Sequence, residues 1–228
     1  MKAGLLICDH VDARYQARFG DYPAMFKAFL PDLDWVFYDV FNGEFPTDIG
    51  LCEVYMTTGS RYSAYDDEAW IADLKHFVQK IAIAKKYFIG FCFGHQILAE
   101  ALGGKVEKAP IGWCVGMHTF KVEQQKEWML PFKEKLNLLM MCQDQVQELP
   151  PNAEILASST DCPVGLFQID KHLLGIQAHP EFSKEYDQLL TRNRVAKIGS
   201  EKVEKAMQSL QQPLDAAIFR DWVLAFIS

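Results

Sequence analysis

Apolar and polar positions fall along this chain in blocks whose period switches between that of a strand and that of a helix. Residues 4–8 are a short apolar run, the signature of a buried strand. Residues 22–30 repeat their apolar positions at helical spacing and stop before Pro31. Residues 35–40 form a second β-rich run. Residues 54–58 form a third, which ends in Gly59-Ser60. The span 66–84 predicts a long amphipathic helix with acidic residues in its first turn, where the helix dipole favours them. Residues 87–91 predict the next buried strand, and 95–102 a helix closed by Gly103-Gly104. Further along, 115–122, 138–141, 163–169 and 173–177 predict strands without long helices between them. Residues 183–228 read as mostly helical. The β-α-β-α rhythm of the first hundred residues predicts an α/β fold, an open sheet with helices on both faces. Active sites of such sheets lie outside the carboxyl ends of the strands.

Composition narrows the function. The 228 residues are half hydrophobic, enough for a sizeable core, and carry 23 Lys+Arg against 30 Asp+Glu. A net charge of −7 argues against nucleic acid, which needs a basic face, and against a polybasic membrane anchor. Charges interrupt each apolar run before the ~18 residues of a transmembrane helix. The first residues do not form a secretory signal, because an acidic residue follows the short apolar stretch at once. Six scattered cysteines suit a reduced, cytoplasmic protein better than a disulfide framework.

Three strand ends carry candidate chemistry. In Gly90-Phe91-Cys92-Phe93-Gly94-His95, a buried strand runs into a cysteine and straight on into a helix. The flanking glycines permit the tight turn of a nucleophile elbow. A helix N-terminus favours thiolate at Cys92, and nearby backbone N–H groups can hold an oxyanion. Alone, Cys92 reads equally well as a small core residue. In Gly175-Ile176-Gln177-Ala178-His179-Pro180-Glu181-Phe182, another strand ends in a histidine with a carboxylate two residues on. A thiol nucleophile needs a base and the base an orienting group, roles open to His179 and Glu181. Alone, His-Pro-Glu is more simply a capped helix start. The coincidence of both features in one chain, in Cys-His-Glu order, points to catalysis. If the Thr57-Thr58-Gly59-Ser60 strand neighbours that of Cys92, the Gly59 and Phe93 N–H groups could form a two-donor oxyanion hole; otherwise it is a plain glycine turn. His95 reads as structural, and packing is the simpler role for Trp113 and His118. With no Cys-x-x-Cys pair and no phosphate-loop glycine motif, no metal and no cofactor are expected.

Gly90 to Gln96 resembles the nucleophile motif of class I glutamine amidotransferases, and Gly175 to Phe182 resembles their His-Pro-Glu motif. The resemblance implies a flavodoxin-like fold with an open, mostly parallel sheet. It implies an amidotransferase-like domain over residues 1–182 and a helical C-terminal extension over 183–228 packed on it. It implies Cys92 as nucleophile, His179 as general base and acid, and Glu181 as orienter. Gly59 matches the oxyanion-loop glycine, Phe93 the second N–H donor, and Gln96 a position that helps bind a γ-glutamyl substrate. The implied reaction is hydrolysis of a γ-glutamyl amide through a thioester on Cys92. Glutamine as substrate would call for an ammonia-accepting synthase subunit, since the tail is too short to be one. Residues 59–67 and Trp70-Ile71 also resemble γ-glutamyl peptidases of plant thiol metabolism, which implies action on glutathione-like compounds as the alternative. The loop reads Thr58-Gly59-Ser60 where many synthase-linked domains have Gly-Gly-Pro. Met141-Cys142-Gln143-Asp144 stands where relatives often carry a small polar residue, His, any residue and Asp. Both departures bear on the substrate and leave the hydrolytic residues intact. A non-catalytic binding relative is the remaining class, and the presence of Cys92, His179 and Glu181 argues against it.

Overall fold

The computed structural model describes residues 1–228. Its frame is a nine-stranded sheet. One half is parallel and runs β2 (Asp34–Tyr38), β1 (Lys2–Leu6), β3 (Val54–Thr57), β4 (Tyr87–Phe91) and β11 (Leu173–Ile176) across the sheet. The other half is antiparallel and continues through β10 (Cys162–Ile169), β9 (Ala153–Ser159), β6 (Cys114–Val122) and β7 (Lys135–Cys142). A separate ribbon pairs β5 (Lys105–Lys108) with β8 (Asp144–Glu148).

The parallel strands read as unbroken apolar runs because both faces are covered. Leu5, Met56, Ile89 and Leu174 sit side by side in register and face one core. That core receives Phe26 and Phe29 of α2 (Tyr22–Phe29) and Phe219, Trp222 and Phe226 of α8 (Ala216–Phe226). Tyr55, Phe88 and Leu173 face the other core, closed by α3 (Ala69–Ile83) and α4 (Phe93–Ala101). Helices therefore cover both faces, as the rhythm of the first hundred residues predicts.

The tail is helical: α5 (Lys184–Asn193), α6 (Val195–Ile198), α7 (Ser200–Ser209) and α8. It is fastened to the antiparallel half. Asp215 accepts the Asn137 N–H of β7 at 2.9 Å and a Lys133 hydrogen bond at 2.7 Å. Helix α7 lies so close on β6 that a Cβ at Gly116 would stand 2.8 Å from the Ala206 Cα.

Two sequence expectations shift at the edges. Helix α3 starts at Ala69 with Glu68 as its N-cap, so no acidic residue lies in its first turn. Asp66 instead accepts the Ser63 N–H at 2.8 Å and shapes the preceding turn. Helix α4 starts at Phe93, two residues before the expected His95, because Cys92 itself is the N-cap. Strands β5, β8 and β9 and helix α1 (Ala13–Phe19) were not expected from the pattern. No helix is long and apolar enough to cross a membrane.

Candidate active site

The strand ends predicted to carry chemistry converge on one cleft. Cys92 leaves β4 with φ 49° and ψ −98°, in the left-handed half of backbone space that a non-glycine residue rarely adopts. Its N–H donates to the Ile176 carbonyl of β11 at 2.8 Å. The turn depends on its glycines. A Cβ on Gly90 would stand 2.3 Å from the Gly94 carbonyl oxygen, because α4 folds directly back over β4. A Cβ on Gly94 would fall 1.5 Å from Thr57 Oγ1 at the end of β3. That hydroxyl oxygen in turn accepts the Phe91 N–H at 3.3 Å. The thiol thus stands at the helix N-terminus, where the dipole stabilises a negative sulfur.

His179 follows β11. Its N–H donates to the Leu139 carbonyl at 2.8 Å, and its ring stacks on Phe182 with centroids 4.0 Å apart. Its Nδ1 lies 2.7 Å from Glu181 Oε1, and both side chains are almost wholly buried. Burial disfavours the imidazolium, but the charges of Cys92 and then Glu181 outweigh it and push the His179 pKa up to about 10. A raised pKa favours the protonated ring, placed between the Cys92 sulfur and the Glu181 carboxyl group. Glu181 Oε2 is buried without a partner.

Gly59 follows β3, which pairs directly with β4. Its Cα side faces the His179 ring so closely that a Cβ would meet Cε1 at 2.7 Å. The N–H groups of Gly59 and Phe93 donate to no protein acceptor. Gln96, one turn into α4, donates from Nε2 to the Asp144 carbonyl at 2.7 Å and to Gln177 Oε1 at 3.2 Å. Gln177 Nε2 in turn lies 3.5 Å from the Cys92 sulfur. Pattern reading missed Gln177. Its place two residues before His179, at the end of the same buried strand, was the available signal.

His95 is not brought to the cleft. It is fully buried, its ring 4.8 Å from that of Phe167, and burial pushes its pKa down to about 4. A neutral ring in that position packs and does not act as a base. Trp113 lines the cleft after all, whereas His118 lies on a separate hollow beside α7.

The cleft holds about 720 Å³ and is lined by Cys92, Phe93, Gln96 and His179. Its wall includes Asp144, fastened by Ser63 Oγ at 2.5 Å and by the Tyr65 hydroxyl at 3.2 Å. The tail supplies a further wall through Tyr186, Leu190, Asn193, Arg194 and Lys197. At the rim Arg14 is paired with Asp12 and Arg61 with Asp9, whereas Lys108 has no ion-pair partner. Chemically, the arrangement offers a cysteine sulfur at a helix N-terminus, an imidazole beside it and unengaged N–H groups, the kinds of group that acyl transfer uses.

The sequence profile of the family "Glutamine amidotransferase class-I" matches residues 63–198. Gamma-glutamyl peptidase 2 of Arabidopsis thaliana is 32% identical over 205 residues, covering 85% of this chain and 82% of that protein. A glutamine-hydrolysing GMP synthase of Lachnospira eligens is 33% identical over 125 residues, which is 54% of this chain and 23% of that protein. The crystal structure of a glutamine amidotransferase from Thermotoga maritima superposes with a TM-score of 0.74 at 17% identity, covering 100% of this chain and 98% of that one. The last comparison speaks for the fold.

Proposed function

The chain belongs to the class-I glutamine amidotransferase family, and on that premise we propose that it hydrolyses γ-glutamyl amide bonds through a γ-glutamyl thioester on Cys92. The observation that carries the reading is the buried His179–Glu181 pair facing the strained Cys92 turn in one cleft.

The Cys92 thiolate attacks the γ-carbonyl carbon, and the electron pair of the C=O moves to oxygen. The N–H groups of Gly59 and Phe93 receive that oxyanion, and a donor in this role is typically worth about 2.7–4 kcal/mol. As the C–N bond breaks, His179 passes its Nε2 proton to the departing nitrogen, leaving the thioester. His179, now neutral, takes a proton from water, whose hydroxide attacks the thioester carbonyl. Glutamate leaves, and the thiolate and imidazolium are restored. Glu181 holds the His179 ring and stabilises its charge. Gln96 and Gln177 orient groups around the sulfur.

The cleft favours a leaving group larger than ammonia. A volume of about 720 Å³ far exceeds a single glutamine side chain, and Lys108, Arg194 and Lys197 in its lining, which form no ion pair within the chain, suit a leaving portion bearing a carboxylate. Under this reading the chain acts as a γ-glutamyl peptidase without an acceptor enzyme. If glutamine is the substrate, the ammonia goes to a synthase partner. Six free cysteines suit a reducing, cytoplasmic setting. Assaying the protein and its Cys92→Ala variant on glutamine, glutathione and γ-glutamyl dipeptides tests the proposal. Hydrolysis should be lost in the variant and should be faster on the peptides. Equal hydrolysis by both proteins rejects Cys92 as nucleophile, and a preference for glutamine rejects the peptidase reading.

A further inference from the structure

Between β1 and β3, two chain segments are stitched together beside Gly59. Thr58, fully buried, accepts the Cys8 N–H at 2.9 Å and donates its own hydroxyl to the Gly59 carbonyl at 2.9 Å. Asp9, whose side chain is only 8% exposed, accepts the Arg61 N–H at 3.0 Å. The same carboxylate takes the Arg61 guanidinium in a fork, with Nη2 at 2.7 Å and Nε at 2.8 Å, and also accepts the His10 N–H at 2.8 Å. Arg61 Nη2 adds a bond to the His10 carbonyl at 3.2 Å. The stretch 58–61 is therefore held on both sides of Gly59, at its own carbonyl and at the N–H two residues on.

This bracing has a feature that surface ion pairing does not explain. The Arg61 side chain is 62% exposed, whereas its carboxylate partner is buried beneath the loop. Exposed pairs contribute little to stability, and burying a carboxylate costs solvation. The bonds Asp9 makes to backbone groups fix a conformation instead. The residue they bracket is the one whose N–H has no protein acceptor and on which a Cβ would collide with the His179 ring.

We propose that Asp9, together with Thr58, is a positioning residue for the oxyanion hole, holding the Gly59 N–H where the tetrahedral oxyanion forms. The inference rests on the thioester reading of Cys92. Asp9 touches neither substrate nor sulfur and acts through the backbone of residues 59–61. It forms no bond in the reaction. Its contribution is to remove the freedom of one donor before the charge develops, the condition under which such donors are effective.

The test compares two reactions of Cys92. Acyl transfer from γ-glutamyl p-nitroanilide develops an oxyanion, whereas alkylation by iodoacetamide displaces iodide at a saturated carbon and develops none. Asp9→Ala and Thr58→Val should lower kcat by about 10²-fold, the loss associated with misplacing a catalytic group by roughly 1 Å. KM and the alkylation rate should stay at wild-type values. Thr58→Ser and Asp9→Asn, which keep an oxygen in place, should recover most of the rate. Should Asp9→Ala fail to fold, Thr58→Val set against Thr58→Ser decides the matter, unchanged kcat in Thr58→Val overturning the proposal. Unchanged kcat in Thr58→Val and Asp9→Ala, or alkylation falling in step with kcat, overturns the proposal. Wild-type turnover by Cys92→Ala rejects the thioester reading itself and is seen independently of these variants.

Discussion

Replacing Asp187 with Asn should make the protein more stable at neutral pH, by an amount that grows with pH. Asp187 sits on α5, fully buried, and neither carboxyl oxygen has a hydrogen-bond partner. The hydroxyl of Thr191, one turn on, is also unpartnered. Burial pushes the Asp187 pKa from 3.8 up to about 7, although the charges of His179 and Arg194 pull it back in part. A carboxyl whose folded pKa is raised binds its proton more tightly when folded. It costs nothing below the unfolded pKa, and its penalty accumulates as pH rises to the folded value. Each unit of that window is worth about 1.4 kcal/mol, so the cost approaches about 4 kcal/mol above pH 7. Asn fills the same space and carries no titratable proton. Urea unfolding of both proteins should give nearly equal stabilities at about pH 4, with a gap that opens through about pH 7 and then levels off. A gap that does not vary with pH, or a wild type that is the more stable protein at neutral pH, would refute the reasoning.

Other consequences are as direct. Glu181→Gln removes a negative charge beside the imidazolium, so the alkaline limb of the kcat/KM profile should move down from about 10 and kcat should fall. Gly94→Ala drives a methyl group into Thr57 Oγ1 and should cost about 1–3 kcal/mol as well as activity. Pairing it with Thr57→Ala should give back part of that cost in a double-mutant cycle. His10 bridges Asp21 at 2.7 Å and Asp39 at 3.0 Å, and those two carboxylates raise its pKa although burial opposes them. Its stabilisation is present below the unfolded value and lost as pH rises through the raised one, so a thermal-melt difference between wild type and His10→Ala should shrink on the alkaline side.

The parts of this structure legible in the sequence are those where local chemistry and global place agree. Strands β1, β3, β4 and β11 stood out because covering both faces makes them unbroken apolar runs. Cys92 stood out because its turn tolerates only glycine two residues to either side. The pattern failed where burial is slight. Helix α1 has no buried residue and therefore no apolar stripe. Strand β5 buries only Val106. The bond between Asp9 and Arg61 spans 52 positions, which no periodicity reports. The helices of the tail were legible from their spacing, but their contribution of Tyr186, Asn193 and Arg194 to the cleft wall was not, because that depends on how α5 docks. His179 and Glu181 were visible as a motif, whereas the Gln177 contact with the sulfur depends on how β11 packs against the Cys92 turn.

The central claim is that a γ-glutamyl group passes through the Cys92 sulfur. Rapid acid quench of the protein during turnover of γ-glutamyl p-nitroanilide, followed by intact-mass and peptide mass spectrometry, tests it most directly. The account predicts a transient adduct of one glutamyl residue on the peptide that contains Cys92, absent from Cys92→Ala and longer-lived in Glu181→Gln. Turnover with no adduct on Cys92 at any quench time, or an adduct on another residue, would contradict it.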